Sequence, residues 1–298
     1  MSVILEADPA AEPSAPPPRR VRSRLRAPSF TTVVLLIPLV YMVVVYAIPV
    51  GRTLLSSFTE PHLGFGNFSD ALSDPIVLRV LGITVRIAVE VALFCLILGF
   101  PVAYYMSRLP ARRARLVALF VIIPFWTSIL VRSFAWIVIL GDGGLVATLL
   151  SPFTGSTAGM LYTEPAVVLA MVHVMLPFTI LIIKSSLDQI DPTLVRAART
   201  LGARPVAAFV KVYLPLARPA AISGTMLVFI MALGFYITPA LVGGAKQTML
   251  AMLIERKVNV QFDWPGAATL STMLLVASIG LYLIVQRLAK TRGLAGVQ

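Results

Sequence analysis

Six stretches of this chain are long and apolar enough to cross a lipid bilayer as helices, and nothing else in the sequence restricts its fold as severely. A hydrocarbon core of about 30 Å needs about 20 predominantly apolar residues in an α-helix. Residues 31–50, 78–106, 116–140, 165–183, 220–242 and 268–286 meet or approach that length. Bilayer-spanning β-strands would be shorter and would alternate polar with apolar residues, which these stretches do not. Composition agrees: 58% of the 298 residues are hydrophobic and 13% are charged, against about 25% charged in soluble domains. The expected fold is all-α, an integral membrane protein with six transmembrane helices. Pro38, Pro101, Pro124, Pro177 and Pro239 fall inside these stretches and predict kinks, which neighbouring helices tolerate in a membrane.

The net charge of +12 is unevenly spread. Arginines 19, 20, 22, 24 and 26 precede the first span, and Arg108, Arg112, Arg113 and Arg115 join the second to the third. Lys184, Arg196, Arg199, Arg204, Lys211 and Arg218 join the fourth to the fifth, and Arg287, Lys290 and Arg292 follow the sixth. Eighteen of the 25 basic residues therefore fall on one side, which the positive-inside bias assigns to the cytoplasm together with both termini. Dispersal over short loops also removes any need for a nucleic-acid partner. Residues 1–28, rich in Ala and Pro and then Arg, read as a disordered cytoplasmic tail, and 29–298 as one membrane domain. In the third external loop, "MLAMLIERKV" reads as a short helix along the outer surface.

Cys95 is the single cysteine, so no disulfide within the chain and no cysteine-based metal cluster is expected. There is no G-x-x-x-x-G-K-[ST] loop to cradle phosphates, and no Ser/His/Asp set. No catalytic residue and no metal ligand is assigned. His173, alone within the fourth span, is expected to be a hydrogen-bonded buried imidazole.

The connection between the fourth and fifth spans is not a loose tether. Asp191 precedes Pro192, the order of an N-cap carboxylate followed by proline at the first helical position. Gly202 suits a left-handed terminator. Between them Leu194, Ala197, Ala198 and Leu201 recur at i, i+3, i+4 and i+7. Pro205 opens a second short helix, "PVAAFVKVY", expected to end at Leu214–Pro215. Two readings are open from periodicity alone: a rigid plug for a socket on another protein, or an interfacial helix with its arginines on lipid headgroups.

This stretch resembles the cytoplasmic signature of ABC-importer permease subunits: Glu-Ala-Ala, three residues, Gly, nine residues, then Ile-x-Leu-Pro. The chain has Ala197, Ala198 and Gly202, then Val212, Tyr213, Leu214 and Pro215 at the same spacing, with Arg196 where the pattern has Glu. Further resemblance lies in "LGFPVAYYMSR", "IIPFWTSILVRSFAWIVIL" and "LGFYITPALVGG", which are similar to the spermidine/putrescine-type subfamily, especially the first of its two permease chains. The resemblance implies a type I ABC-importer permease fold with a cytoplasmic coupling helix between spans four and five. It also implies a bacterial inner-membrane location, an ABC ATPase dimer that holds ATP and Mg, a second, non-identical permease subunit and an extracytoplasmic solute-binding protein. Polyamines are the implied substrates; another small solute, such as an amino-acid derivative or phosphonate, is the alternative. An ion-gradient-driven transporter would show inverted repeats, and none is evident.

Ionisable residues inside spans mark candidate paths. Arg86 and Glu90 stand at i and i+4 on the second span, so that Arg86 either neutralises Glu90 or leaves it facing a cation path. Arg132 in the third span is either a partner in a structural network or part of the path. Trp126 is a candidate for an amine through its ring face. Phe235, Tyr236 and Thr238, before the Pro239 kink, are candidates to line the cavity.

Overall fold

The computed structural model describes residues 30–60, 63–154 and 157–294, and none of these is in a β-strand. The tail at 1–28 lies outside the described residues. Contacts divide the chain into two units that meet between Val50 and Gly51. In the first, α1 (Phe30–Met42) passes through a π-helical turn at Val43–Ala47 into the start of α2 (Ile48–Thr59), whose remainder belongs to the second. The Ile48 N–H reaches back five residues to the Val43 carbonyl, and Pro49 follows.

The second unit continues through α3 (Gly66–Ser73), α4 (Pro75–Arg108), α5 (Ala111–Ile122), α6 (Ile129–Leu140), α7 (Leu145–Thr154) and α8 (Glu164–Leu187). After these come α9 (Pro192–Thr200), α10 (Pro205–Ala208), α11 (Leu214–Leu233), α12 (Ile237–Val242), α13 (Leu250–Asn259) and α14 (Trp264–Leu294). Local chemistry starts the long helices. The Asp74 carboxylate accepts the Ile76 N–H at 2.8 Å, with Pro75 at the first position of α4. Glu164 stands in the first turn of α8 and Lys184 in its last, each on the side that the helix dipole favours.

The core is a close assembly of α4, α8 and α11. Ile87, Val91 and Cys95 of α4 are buried with Val167, Met171 and Met175 of α8 and Val228 and Ala232 of α11. Glycine makes the approach possible: a Cβ on Gly224 would lie 2.7 Å from Ile183 Cγ1. Such small residues let membrane helices come together where lipid supplies no hydrophobic drive. Among the described residues six segments are long and apolar enough to cross a membrane: Leu36–Thr59, Pro75–Arg108, Ile129–Leu149, Glu164–Leu187, Pro205–Leu233 and Trp264–Arg287.

The number of crossings agrees with the sequence reading, but two of the expected helices are rebuilt. The helix expected over 116–140 is broken. α5 ends at Ile122, a 3₁₀ turn covers Ile123–Trp126, and α6 starts anew with Ser128 accepting from the Leu130 N–H. Pro124 has no N–H to continue the ladder, and the Thr127 hydroxyl donates back to the Pro124 carbonyl at 2.8 Å, which closes the turn. The crossing therefore moves to Ile129–Leu149.

The opposite happens at Leu214–Pro215, where the sequence suggested a stop. A π turn at Phe209–Tyr213 carries the chain from α10 into α11, with the Leu214 N–H on the Phe209 carbonyl. The wider turn accommodates Pro215 and the helix runs on to Leu233. The expected span at 220–242 is then interrupted at Gly234, after which α12 restarts at Ile237. Helix α3 lies between the first two spans and α7 between α6 and α8. The expected helix in the third loop is α13.

Candidate functional site

At the basic end of the bundle, α9 is closed at both termini by its own residues. Asp191 accepts the Thr193 N–H at 2.8 Å. The hydrogen bonds from Thr193 hold the Asp191 carboxyl below the usual carboxylate range. At the other end the Gly202 N–H reaches the Arg199 carbonyl and the Ala203 N–H reaches Ala198, 3.0 and 3.1 Å. Gly202 has φ +90°, and this is the Schellman arrangement that glycine favours. Val195 packs toward the bundle, against the cluster that holds Ile183, Leu187 and Tyr213. The apolar stripe read from sequence mostly faces away: Leu194 is 48% exposed and Leu201 89%, Ala197 is exposed and Ala198 half-buried. Arg196 is also exposed, as are Leu214 and Pro215. A small, uncovered apolar face on a capped helix is suited to insertion into another surface.

Beneath this helix lies a feature that sequence reasoning missed. Arg108, at the end of α4, sets its guanidinium over the rings of Tyr104 and Tyr213, 5.2 and 4.9 Å from their centroids. The two rings meet edge to face at 5.0 Å, and Phe209 stacks on Tyr213 at 5.6 Å. The π turn that follows the α9–α10 connection is thus clasped to the end of α4. The signal was present as aromatic residues in "AYYMSR" and "AAFVKVY", but 109 residues separate Tyr104 from Tyr213 and no local spacing links them.

Toward the opposite end, the structure corrects the partner of Arg86. Its guanidinium pairs with Glu164 at the start of α8, not with Glu90 one turn along α4. Glu164, at the first position of α8, is therefore the counter-charge of Arg86. Glu90 opens instead into a pocket of about 350 Å³ between α4 and α8. A second cleft beyond the ion pair is lined by Arg79, Arg86, Lys246, Glu164 and Gln247; three cations against one acid make it unfavourable to a polycation.

The remaining candidates separate. Trp126 ends the 3₁₀ turn and is 87% exposed. Arg132 is half-buried on α6, its Nε buried without a hydrogen-bond partner. Phe235 packs on the α4–α8–α11 core while Tyr236, in the break before α12, is exposed. Thr238 is buried, its hydroxyl 3.1 Å from that of Ser133, and so ties α12 to α6. His173 accepts the Trp136 Nε1–H at 3.2 Å, the hydrogen bond expected of it, but the ring is half-buried where a buried one was expected. Among the described residues no group of three or more His, Cys, Asp and Glu is arranged to hold a metal.

Residues 96–292 match the family described as binding-protein-dependent transport system inner membrane component. The spermidine/putrescine transport system permease protein PotB of Escherichia coli (strain K12) is 33% identical over 237 residues, covering 77% of this chain and 84% of that protein. The inner membrane ABC transporter permease protein YdcU of the same organism is 32% identical over 250 residues, covering 76% and 77%. Among solved structures, a bacterial ABC transporter involved in the import of the acidic polysaccharide alginate superposes with a TM-score of 0.69 at 16% identity, over 87% of this chain and 94% of that one. The inward-facing MetNI methionine ABC transporter gives 0.51 at 19% identity, over 76% and 99%.

Proposed function

Because the chain belongs to the binding-protein-dependent transport system inner membrane components, the permease subunits of ABC importers, we propose that it carries polyamines such as spermidine and putrescine inward. The observation that carries this reading is the similarity to PotB over most of both chains. On this reading the chain spans the bacterial inner membrane with both termini and the basic end in the cytoplasm. There α9, through Ala197, Ala198 and the Gly202 terminator, docks on an ABC ATPase dimer encoded as a separate chain. ATP and Mg are bound and ATP is hydrolysed in that dimer, and nucleotide-driven closure pushes α9, which passes the movement through the π turn to α4 and α11. A second, non-identical permease completes the pathway, and an extracytoplasmic solute-binding protein delivers the amine.

The test is reconstitution of the chain with the ATPase, permease and binding protein encoded beside it, followed by measurement of ATP-dependent uptake of labelled spermidine and putrescine. Accumulation of either supports the reading. Failure to accumulate either, with uptake of a different small solute, overturns it. That second outcome has one observation in its favour, the cationic cleft of Arg79, Arg86 and Lys246, which suits a solute or docking surface bearing an anionic group.

A further inference from the structure

We propose that Glu90 and the pocket it opens into form a binding site for a single alkylammonium group, a protonated amine together with the methylene segment attached to it. The proposal rests on the polyamine reading for the origin of that group and on geometry for the site itself. The pocket, about 350 Å³, is a half-open groove lined by the exposed side chains of Phe94 and Leu98 of α4 and Leu169 of α8 together with Val168 and Val172, and Glu90 is its one ionisable lining residue. That volume is at the small end of ligand pockets.

Charge balance makes the site incomplete as it stands. The groups that bear on Glu90 are Glu164, which also shares a side-chain hydrogen bond with it, and Arg86, whose guanidinium is already committed to Glu164. Two carboxylates therefore share one cation, and among the described residues Glu90 has no ion-pair partner. A carboxylate in a membrane span is kept ionised only when a counter-charge reaches it. A hard metal ion does not fit: Mg and Ca need several oxygen ligands at close range, and one carboxylate against hydrocarbon walls offers too few. A proton balances the charge but leaves the apolar volume unused. An alkylammonium satisfies both, with its charge on Glu90 and its methylenes against Leu98, Val172 and the Phe94 ring that line the same pocket. The same chemistry is carried by a polyamine in transit and by an ethanolamine lipid headgroup.

Binding and transport are read separately on the complete transporter, in phosphatidylcholine with and without phosphatidylethanolamine. The measurements are the spermidine concentration that half-maximally raises the melting temperature, and the rate of ATP-driven spermidine uptake. We expect spermidine to stabilise the wild type in ethanolamine-free lipid. Glu90→Gln is expected to raise the half-maximal concentration and lower the uptake rate by about tenfold or more, the scale of one lost charge-assisted contact. Glu90→Asp, which keeps the charge, should recover most of both, which also separates site loss from misfolding. Stabilisation by phosphatidylethanolamine alone, abolished by Glu90→Gln, assigns the ammonium to lipid and removes the transport role. Absence of any stabilisation, or equal stabilisation of wild type and Glu90→Gln, overturns the site. A wild type that is stabilised by spermidine yet takes up no amine retains the site and overturns the polyamine reading instead.

Discussion

Two short helices of nine and ten residues, α9 and α13, are held by the chain in contrasting ways. α13 is tied down. The Leu250 N–H donates to the Thr84 hydroxyl at 2.8 Å, and Leu250 is buried with Val77, Val80 and Leu270, with Leu253 and Ile254 packed beside them. Lys257 closes onto Asp263 at 2.6 Å. α9 has no buried residue; it is finished at both ends but left open along its face. Capping without covering makes a rigid projection, whereas covering makes a lid. A helix whose task is to enter another protein must be stable before it docks and must keep its apolar face free until then.

The sharpest way to break the comparison is to crowd α9. Ala197→Trp adds bulk to an exposed position, so the melting temperature should hold while ATP-driven uptake falls by about tenfold or more. Gly202→Val should act in the same direction: no atom lies within 4 Å of the added Cβ, but φ +90° would cost a side chain about 1–2 kcal/mol. Normal uptake by both variants would remove the coupling role of α9. The corresponding change at α13 should be felt in stability. Thr84→Val leaves the buried Leu250 N–H without its acceptor, a loss of about 1–3 kcal/mol, to be read as a lower melting temperature in detergent; an unchanged value would mean that α13 is not anchored there.

The smallest effect is that of pH. Partial burial acts against the Asp263 carboxylate, but the hydrogen bonds from Lys257 and the Gly266 N–H, with the Lys257 charge, outweigh it and hold its carboxyl below the ordinary value. Its contribution is therefore full above the ordinary carboxylate pKa of about 3.9 and is lost as pH falls through the lower folded value. Asp191 has the same sign. Melting curves between pH 6 and 3 should show a decline that Asp263→Asn reduces; identical pH profiles for the variant and the wild type would exclude the Lys257–Asp263 latch as a cause.

What the sequence made legible was local. Asp191, Pro192 and Gly202 lie within a dozen residues of one another, and each has a short-range reason to cap, so the bounds of α9 could be read directly. Periodicity found its apolar stripe but not the direction it faces, because 3.6 residues per turn says nothing of what lies opposite. Pro124 and Pro215 look alike in sequence, yet one ends a helix and the other is absorbed, since the outcome depends on the hydrogen-bond register of the preceding turn. Glu90 was the partner weighed for Arg86 because an i, i+4 neighbour is visible, whereas Glu164, 78 residues on, becomes a neighbour only when α8 packs on α4. The clasp of Arg108 on Tyr104 and Tyr213 was hidden for the same reason.

The wide turn at Phe209–Tyr213 amounts to one surplus residue wound into an otherwise regular screw. Each residue of an α-helix advances the direction of a side chain by about 100°, so the surplus fixes the angle between the segment leading from α9 and the long shaft of α11. Pro215, with no N–H to lend, prevents the surplus from migrating along the shaft. Removing a single residue there would keep both halves helical and swing one against the other by more than a quarter turn.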